Sequence, residues 1–139
     1  MPSIKAAKNK AWKVFAEYIR LRDANAQGYC YCISCGVARY WKGDGMQAGH
    51  LIPSRCNNIL FDEELVHAQC AMCNFNSGEQ VAFWRGLKEK MGYDDSKFDE
   101  FKNRKNLIKK YSYADYQEII DTYTDKIIGL MLQKGLGGE

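Results

Sequence analysis

Two CxxC pairs, Cys32-Ile-Ser-Cys35 and Cys70-Ala-Met-Cys73, constrain this chain more than any other feature. A two-residue spacer lets both thiolates of a pair converge on one ion while backbone amides hydrogen-bond the sulfurs. Two such pairs complete a closed tetrahedral site, and because no coordination position stays open, the zinc it would hold is structural. The stretch from Gly36 to Gln69 is then closed into one unit, and metal binding becomes part of folding. Disulfide bridging, the competing use of an even cysteine count, belongs to oxidising compartments. The N-terminal MPSIKAAKNKAWK has no apolar signal-peptide core, so an unexported, cytoplasmic chain and metal binding are expected. Cys30 has no CxxC partner of its own and is read outside the site. Cys56 is read as a small buried apolar residue.

Around this clamp the hydrophobic pattern changes twice. From 5 to 26, Trp12, Phe15, Ala16 and Ile19 recur at helical spacing, and Asn25 and Gly28 supply stop chemistry. Short β-rich pieces follow, YCYCI, VARYW and NILF, punctuated by Gly, Asn and Pro. Helical patterning then returns. Val81, Trp84, Leu87 and Met91 form one stripe, and Phe98, Phe101 and Ile108 a second. The last helix opens with Ser112 as N-cap and Asp115 three residues on. The expected class is α+β in a single domain over 1–139, the length of one core. It divides into an N-terminal helix (5–26), a zinc-stabilised centre (29–80) and a helical C-terminal part (81–133). No apolar run approaches a membrane span.

A structural zinc organises a fold without supplying chemistry. His50, in QAGHLIPSRC between the pairs, is one of only two histidines. Asn74 follows the last cysteine directly, where a helix is expected to start. A zinc-clamped hairpin, a histidine on it and an Asn at the helix start together suggest a ββα-metal active site. Phosphodiester hydrolysis needs a water made nucleophilic, and neutral imidazole suits that general-base role. It also needs a hard cation, Mg²⁺ or Mn²⁺, which takes few protein oxygens and fills its shell with water and phosphate. Taken alone, a histidine is more often a satisfied polar residue than a base.

The run CISCG, then AGH, then HAQC-x2-CN-x2-SG resembles the NinG (Rap) family of lambdoid phages, within the HNH, or His-Me finger, nuclease superfamily. The resemblance covers roughly 11–92. It implies a divalent-metal-dependent, structure-selective endonuclease acting on branched recombination intermediates, Holliday junctions and D-loops, in a bacterial host. By the same carry-over His50 is the general base, Cys32, Cys35, Cys70 and Cys73 hold zinc, and Asn74 ligates the catalytic cation. Two positions depart from the family pattern. Gln47 stands where an acid three before the histidine is usual, leaving Gln47, Asp44 and Asp62 as candidate further ligands. Leu65 stands where the middle Asn of the HNH pattern belongs, a residue that usually braces the histidine's loop. His67 matches a family histidine, read as a phosphate contact or a structural strand position.

Net charge is only +3, but Lys5, Lys8, Lys10, Lys13, Arg20 and Arg22 crowd the first helix, and Lys102, Arg104, Lys105, Lys109 and Lys110 form a second cluster. Such runs are usually solvated helix faces. Lys10, Lys13, Lys105, Lys109 and Arg55 are the candidate phosphate contacts, and the tryptophans are read mainly as core. The last helix, with Ile119, Ile120, Tyr123, Ile127 and Ile128, offers either a homodimer interface or ordinary core. Two other readings stay open: a catalytically silent zinc module that binds DNA structures, and a purely structural zinc fold.

Overall fold

The computed structural model describes residues 3–43, 45–52, 57–75, 80–104, 106–107 and 109–136. Asp44, Arg55, Cys56, Lys105 and Ile108 lie outside them. The order is α1 (Ile4–Asp23), β1 (Tyr29–Tyr31), β2 (Ala38–Tyr40), β3 (Met46–His50), α2 (Asn57–Leu60), β4 (Val66–Cys70), α3 (Ala71–Phe75), α4 (Gln80–Met91), α5 (Asp95–Arg104) and α6 (Tyr113–Lys134). It is a mixed α+β fold with two small antiparallel sheets, β1–β2 and β3–β4. None of its described helices is long and apolar enough to cross a membrane.

The β3–β4 pair is the centre, and its register decides what each face carries. Met46, Ala48 and His50 lie opposite Cys70, Ala68 and Val66. Side chains alternate between faces along a strand, so this set shares one face. There Met46, Ala48, Val66 and Ala68 join the core with Phe15, Ala16 and Ile19 of α1. The other face receives α4 and α5: Leu51, Ile59, Leu65, Phe83, Leu87 and Phe101 form a second core with Ile33. Helix α6 packs along α1, burying Tyr116 and Ile120 against Ala7 and Ala11.

Several expectations are corrected in detail. Helix α1 stops at Asp23, because Ala24 leaves it to form a bridge with Cys30 and the Asp23 carboxylate accepts from the Ala68 amide (2.8 Å). NILF is not β: its first three residues belong to the helix Asn57–Leu60 and Phe61 follows in a turn. In α4 the buried residues are Phe83, Gly86 and Leu87, while Val81 is 80% and Met91 47% exposed. The inward stripe is therefore rotated from the one expected. The Ser112–Asp115 capping box is present at the start of α6. Ile120 and Ile127 of α6 are core residues, whereas Ile128 is exposed.

Candidate functional site

The two CxxC pairs come together. Sγ atoms of Cys32, Cys35, Cys70 and Cys73 all lie within 4.8 Å of one another. Cys32 and Cys35 lie in the turn after β1; Cys70 ends β4 and Cys73 lies in α3. In each pair the second cysteine's amide donates to the first sulfur, Cys35 to Cys32 and Cys73 to Cys70, both at 3.5 Å. Cys35 and Cys70 are 3.8 Å apart at sulfur, far beyond a bonded pair. It is the separation expected around a tetrahedral ion, since Zn–S bonds of about 2.3 Å place sulfurs about 3.8 Å apart. Burial pushes Cys32 up, but hydrogen bonds from the backbone of Cys70, Cys35 and Ser34 outweigh it and bring the thiol down to about 7. Cys73 is pushed up by burial and by the neighbouring sulfurs, a repulsion that a cation would remove. The four cysteines are thus placed to hold one metal ion, and an all-thiolate tetrahedral set suits zinc. Cys30 stays apart, buried, with its thiol directed to the Arg39 carbonyl.

The clamp positions a groove beside it. Between α1 and β3 lies a cleft of about 880 Å³, bordered by Lys5, Lys8, Lys13 and Arg20 from α1, by Gln47 and His50 from β3, and by Asn74 from α3. It contains no carboxylate among its described lining residues. His50 is the one imidazole among its described lining residues. The imidazole stacks on Trp12, ring centroids 4.9 Å apart and planes 20° apart. Nε2 lies 3.2 Å from the Leu60 carbonyl oxygen. A carbonyl only accepts, so Nε2 carries the proton and Nδ1 keeps its lone pair. Burial depresses the His50 pKa below its ordinary value, against the opposing Leu60 hydrogen bond. The ring is neutral at neutral pH and basic at Nδ1.

Gln47 and Asn74 meet at the groove: Asn74 Nδ2 donates to Gln47 Oε1 at 2.7 Å. This leaves Asn74 Oδ1 as an outward oxygen donor. Asn74 is the fourth residue of the short α3, not the first of a long helix. Gly49, between Gln47 and His50, lets the buried Gln69 side chain pass, since a Cβ there would meet its Oε1 at 2.0 Å.

The other candidate residues lie elsewhere. His67 pairs with Gly49, one position off His50, and so points to the opposite face of the hairpin. It is buried, accepts from Arg22 at Nδ1 (3.2 Å) and donates from Nε2 to the Glu64 carbonyl (3.1 Å). Both nitrogens are engaged inside the protein, so the structural strand position is the one it fills. Asp62 is not in the groove; Arg104 holds its carboxylate at 2.8 Å. Lys13 lines the groove, whereas Lys10 is not among its lining residues and Lys109 borders separate clefts with Tyr111 and Tyr123. Leu65 is fully buried in the second core. Trp12 is the site residue that sequence reasoning missed: its place on an apolar helical stripe reads as core. The only available signal was its position among α1 lysines.

Bracing of the histidine's loop comes from the acids 62–64. Arg104 grips Asp62 and Glu64. Glu63 accepts from the hydroxyls of Tyr18 (2.9 Å) and Tyr123 (2.8 Å), and Arg22 donates to its backbone carbonyl (2.7 Å). These ties fix the segment just after Leu60, whose carbonyl orients His50.

Neither the curated proteins nor the solved structures give a match to this chain. The family model described as "Bacteriophage Lambda NinG protein" matches residues 3–132. That span takes in the four-cysteine cluster, the groove, α1 and all but the last two residues of α6, and the chain accordingly belongs to the NinG family.

Proposed function

We propose that this protein is a divalent-metal-dependent DNA endonuclease of the His-Me finger type, acting on branched recombination intermediates. The observation that carries the reading is His50. It is a neutral imidazole with Nε2 committed to Leu60 and Nδ1 basic, in a groove bordered by lysines. Hairpin β3–β4 followed by α3, anchored through Cys70 and Cys73, supplies the order of parts of a ββα-metal motif.

In the proposed reaction a phosphodiester lies in the groove with its charge facing Lys5, Lys8 and Lys13. His50 Nδ1 takes a proton from a water molecule as that water's oxygen bonds to phosphorus. The bond to the 3′-oxygen breaks in line, and that oxygen takes a proton from solvent water, leaving a 5′-phosphate and a 3′-hydroxyl. A divalent cation bound at this site would neutralise charge on the phosphate and on the leaving oxygen. The side-chain oxygens of Asn74 and Gln47 are the residues that would hold it. This donor set supplies oxygens but no charge, so a Mg²⁺ or Mn²⁺ ion there would take its remaining ligands from water and its charge compensation from substrate phosphate. Zinc held by the four cysteines has a structural part only.

The test is cleavage of an end-labelled four-way junction beside linear duplex, in Mg²⁺ and in Mn²⁺. His50→Ala should lower the cleavage rate at least a hundred-fold, within the range of general-base loss, and leave junction binding intact. Normal cleavage by His50→Ala would refute the assignment. The neutral pair Gln47–Asn74 favours a second reading, a silent DNA-structure binder, which predicts binding by both proteins and cleavage by neither in any metal.

A further inference from the structure

Helix α3 has two faces with different fates. Its five residues bury no side chain in the core, and a helix so short does not hold itself together. What fixes it is the cysteine cluster: Cys70 precedes it and Cys73 lies within it, three residues apart and on one side. Met72 and Phe75, also three apart, share the opposite side. There Met72 is 73% and Phe75 88% exposed, Phe75 being more exposed than any other large apolar side chain among the described residues. Asn74, between the two faces, lines the lysine-bordered groove. An aromatic and a thioether are thus held out in solvent, on a support tied to the four-cysteine cluster, on either side of Asn74, which lines the cationic groove.

We propose that Phe75, backed by Met72, is a wedge that stacks on an unpaired or unstacked base where a duplex is interrupted, and so selects branched DNA. This rests on the groove binding DNA as proposed above and adds the element that distinguishes a junction from a duplex. Charge complementarity identifies the occupant. Asn74, next to Phe75 in α3, lines the same groove as Lys5, Lys8 and Lys13, so a chain whose phosphates lie along those lysines passes beside α3. In intact duplex its bases are stacked and closed to Phe75. At a branch point a base face is open, and aromatic stacking on it is tolerant of sequence. Apolar side chains inserted at base steps are an established way of reading deformable DNA. A phosphate groove alone carries no such preference, because phosphate contacts are the same in every duplex.

The experiment uses the full chain in a His50→Ala background, so that binding is read without cleavage. Affinities for a four-way junction with 2-aminopurine at the branch, and for linear duplex of the same arms, are measured at one salt concentration. Zinc content is checked in each protein. Phe75→Ala should weaken junction binding about ten-fold, the scale of one lost base stack, leave duplex affinity within two-fold, and abolish the change in 2-aminopurine fluorescence. Phe75→Trp should restore both. Equal losses on junction and duplex, or no loss on either, would overturn the wedge while leaving the nuclease reading standing. Failure of the parent protein to bind either DNA would overturn both. Sedimentation showing a dimer that Phe75→Ala dissolves, with junction preference unchanged, would make a second copy the occupant and also overturn it.

Discussion

His50 is restrained on three sides: its backbone pairs with Val66, its Nε2 donates to Leu60, and its ring lies on Trp12. The first two restraints are made by backbone atoms. Trp12 is a side chain, so its contribution can be removed separately. Trp12→Ala would leave the ring free to turn about χ2 and would admit water to the face now covered. The expected result is a ten- to hundred-fold fall in cleavage rate, the scale of a misplaced reacting group, with DNA affinity nearly unchanged. Trp12→Phe should recover most of the loss. The pH profile separates this from general damage. Burial disfavours the protonated ring and holds the His50 pKa below its ordinary value, so the base form survives below about pH 6.5 and the acid limb of the rate profile lies below that point. In Trp12→Ala the limb should move upward toward about 6.5, because part of the burial is gone. A fall in rate with an unmoved limb would mean that Trp12 serves only the packing of α1.

Between elements, α4 comes close to the first cysteine pair at Gly86. A Cβ on Gly86 would meet the Ile33 carbonyl oxygen at 2.0 Å. That oxygen is backbone, in a residue next to Cys32 whose N–H donates to the Ala68 carbonyl (2.9 Å), and no rotamer change can move it aside. Gly86→Ala should therefore destabilise the protein by about 1–3 kcal/mol through overpacking, partly offset by the better helix propensity of alanine, about 1 kcal/mol. Gly129 in α6 is the control, because nothing lies within 4 Å of its Cβ position. Gly129→Ala should stabilise by up to about 1 kcal/mol. Urea unfolding of both variants checks the opposite signs, and faster loss of metal to a chelator is expected only for Gly86→Ala. These cases also indicate what could be read in advance. The cysteine pairs and the Ser112–Asp115 cap are local chemistry at fixed spacing, and both stand where the sequence placed them. The α4 stripe came out rotated because Gly86, which marks a close approach of the helix, has no side chain to contribute to a hydrophobic pattern. NILF is a short apolar run, which periodicity alone cannot divide between strand and helix. The Trp12–His50 stack and the ties from Arg104, Tyr18 and Tyr123 to the acids 62–64 join residues far apart in the chain, and spacing carries no sign of them.

Across the whole molecule, a net charge of +3 understates the field a nucleic acid would meet. Four of the acids are answered from within: Arg104 pairs with Asp62, Glu64 and Glu100, Lys97 with Glu64, and Lys126 with Glu63. The groove keeps its cations without a carboxylate among the described residues that line it. Arg20 donates there to the Trp41 carbonyl at 2.8 Å, and Lys5, Lys8 and Lys13 of α1 border the same groove. Each phosphate neutralised on duplex DNA contributes about −0.9 to the slope of log K against log salt. Contact through Lys5, Lys8 and Lys13 gives a slope of about −3, and Lys13→Ala should make it shallower by about one. Lys109 is the informative contrast. Its ammonium sits over the Tyr111 ring, 5.1 Å from the centroid, and it borders clefts away from His50. Lys109→Ala should therefore leave the slope unchanged. Equal effects of the two substitutions would place DNA across the α6 side as well, and a path confined to the His50 groove would have to be abandoned. An effect of Lys13 alone would tie the electrostatic footprint to the groove that holds the proposed base.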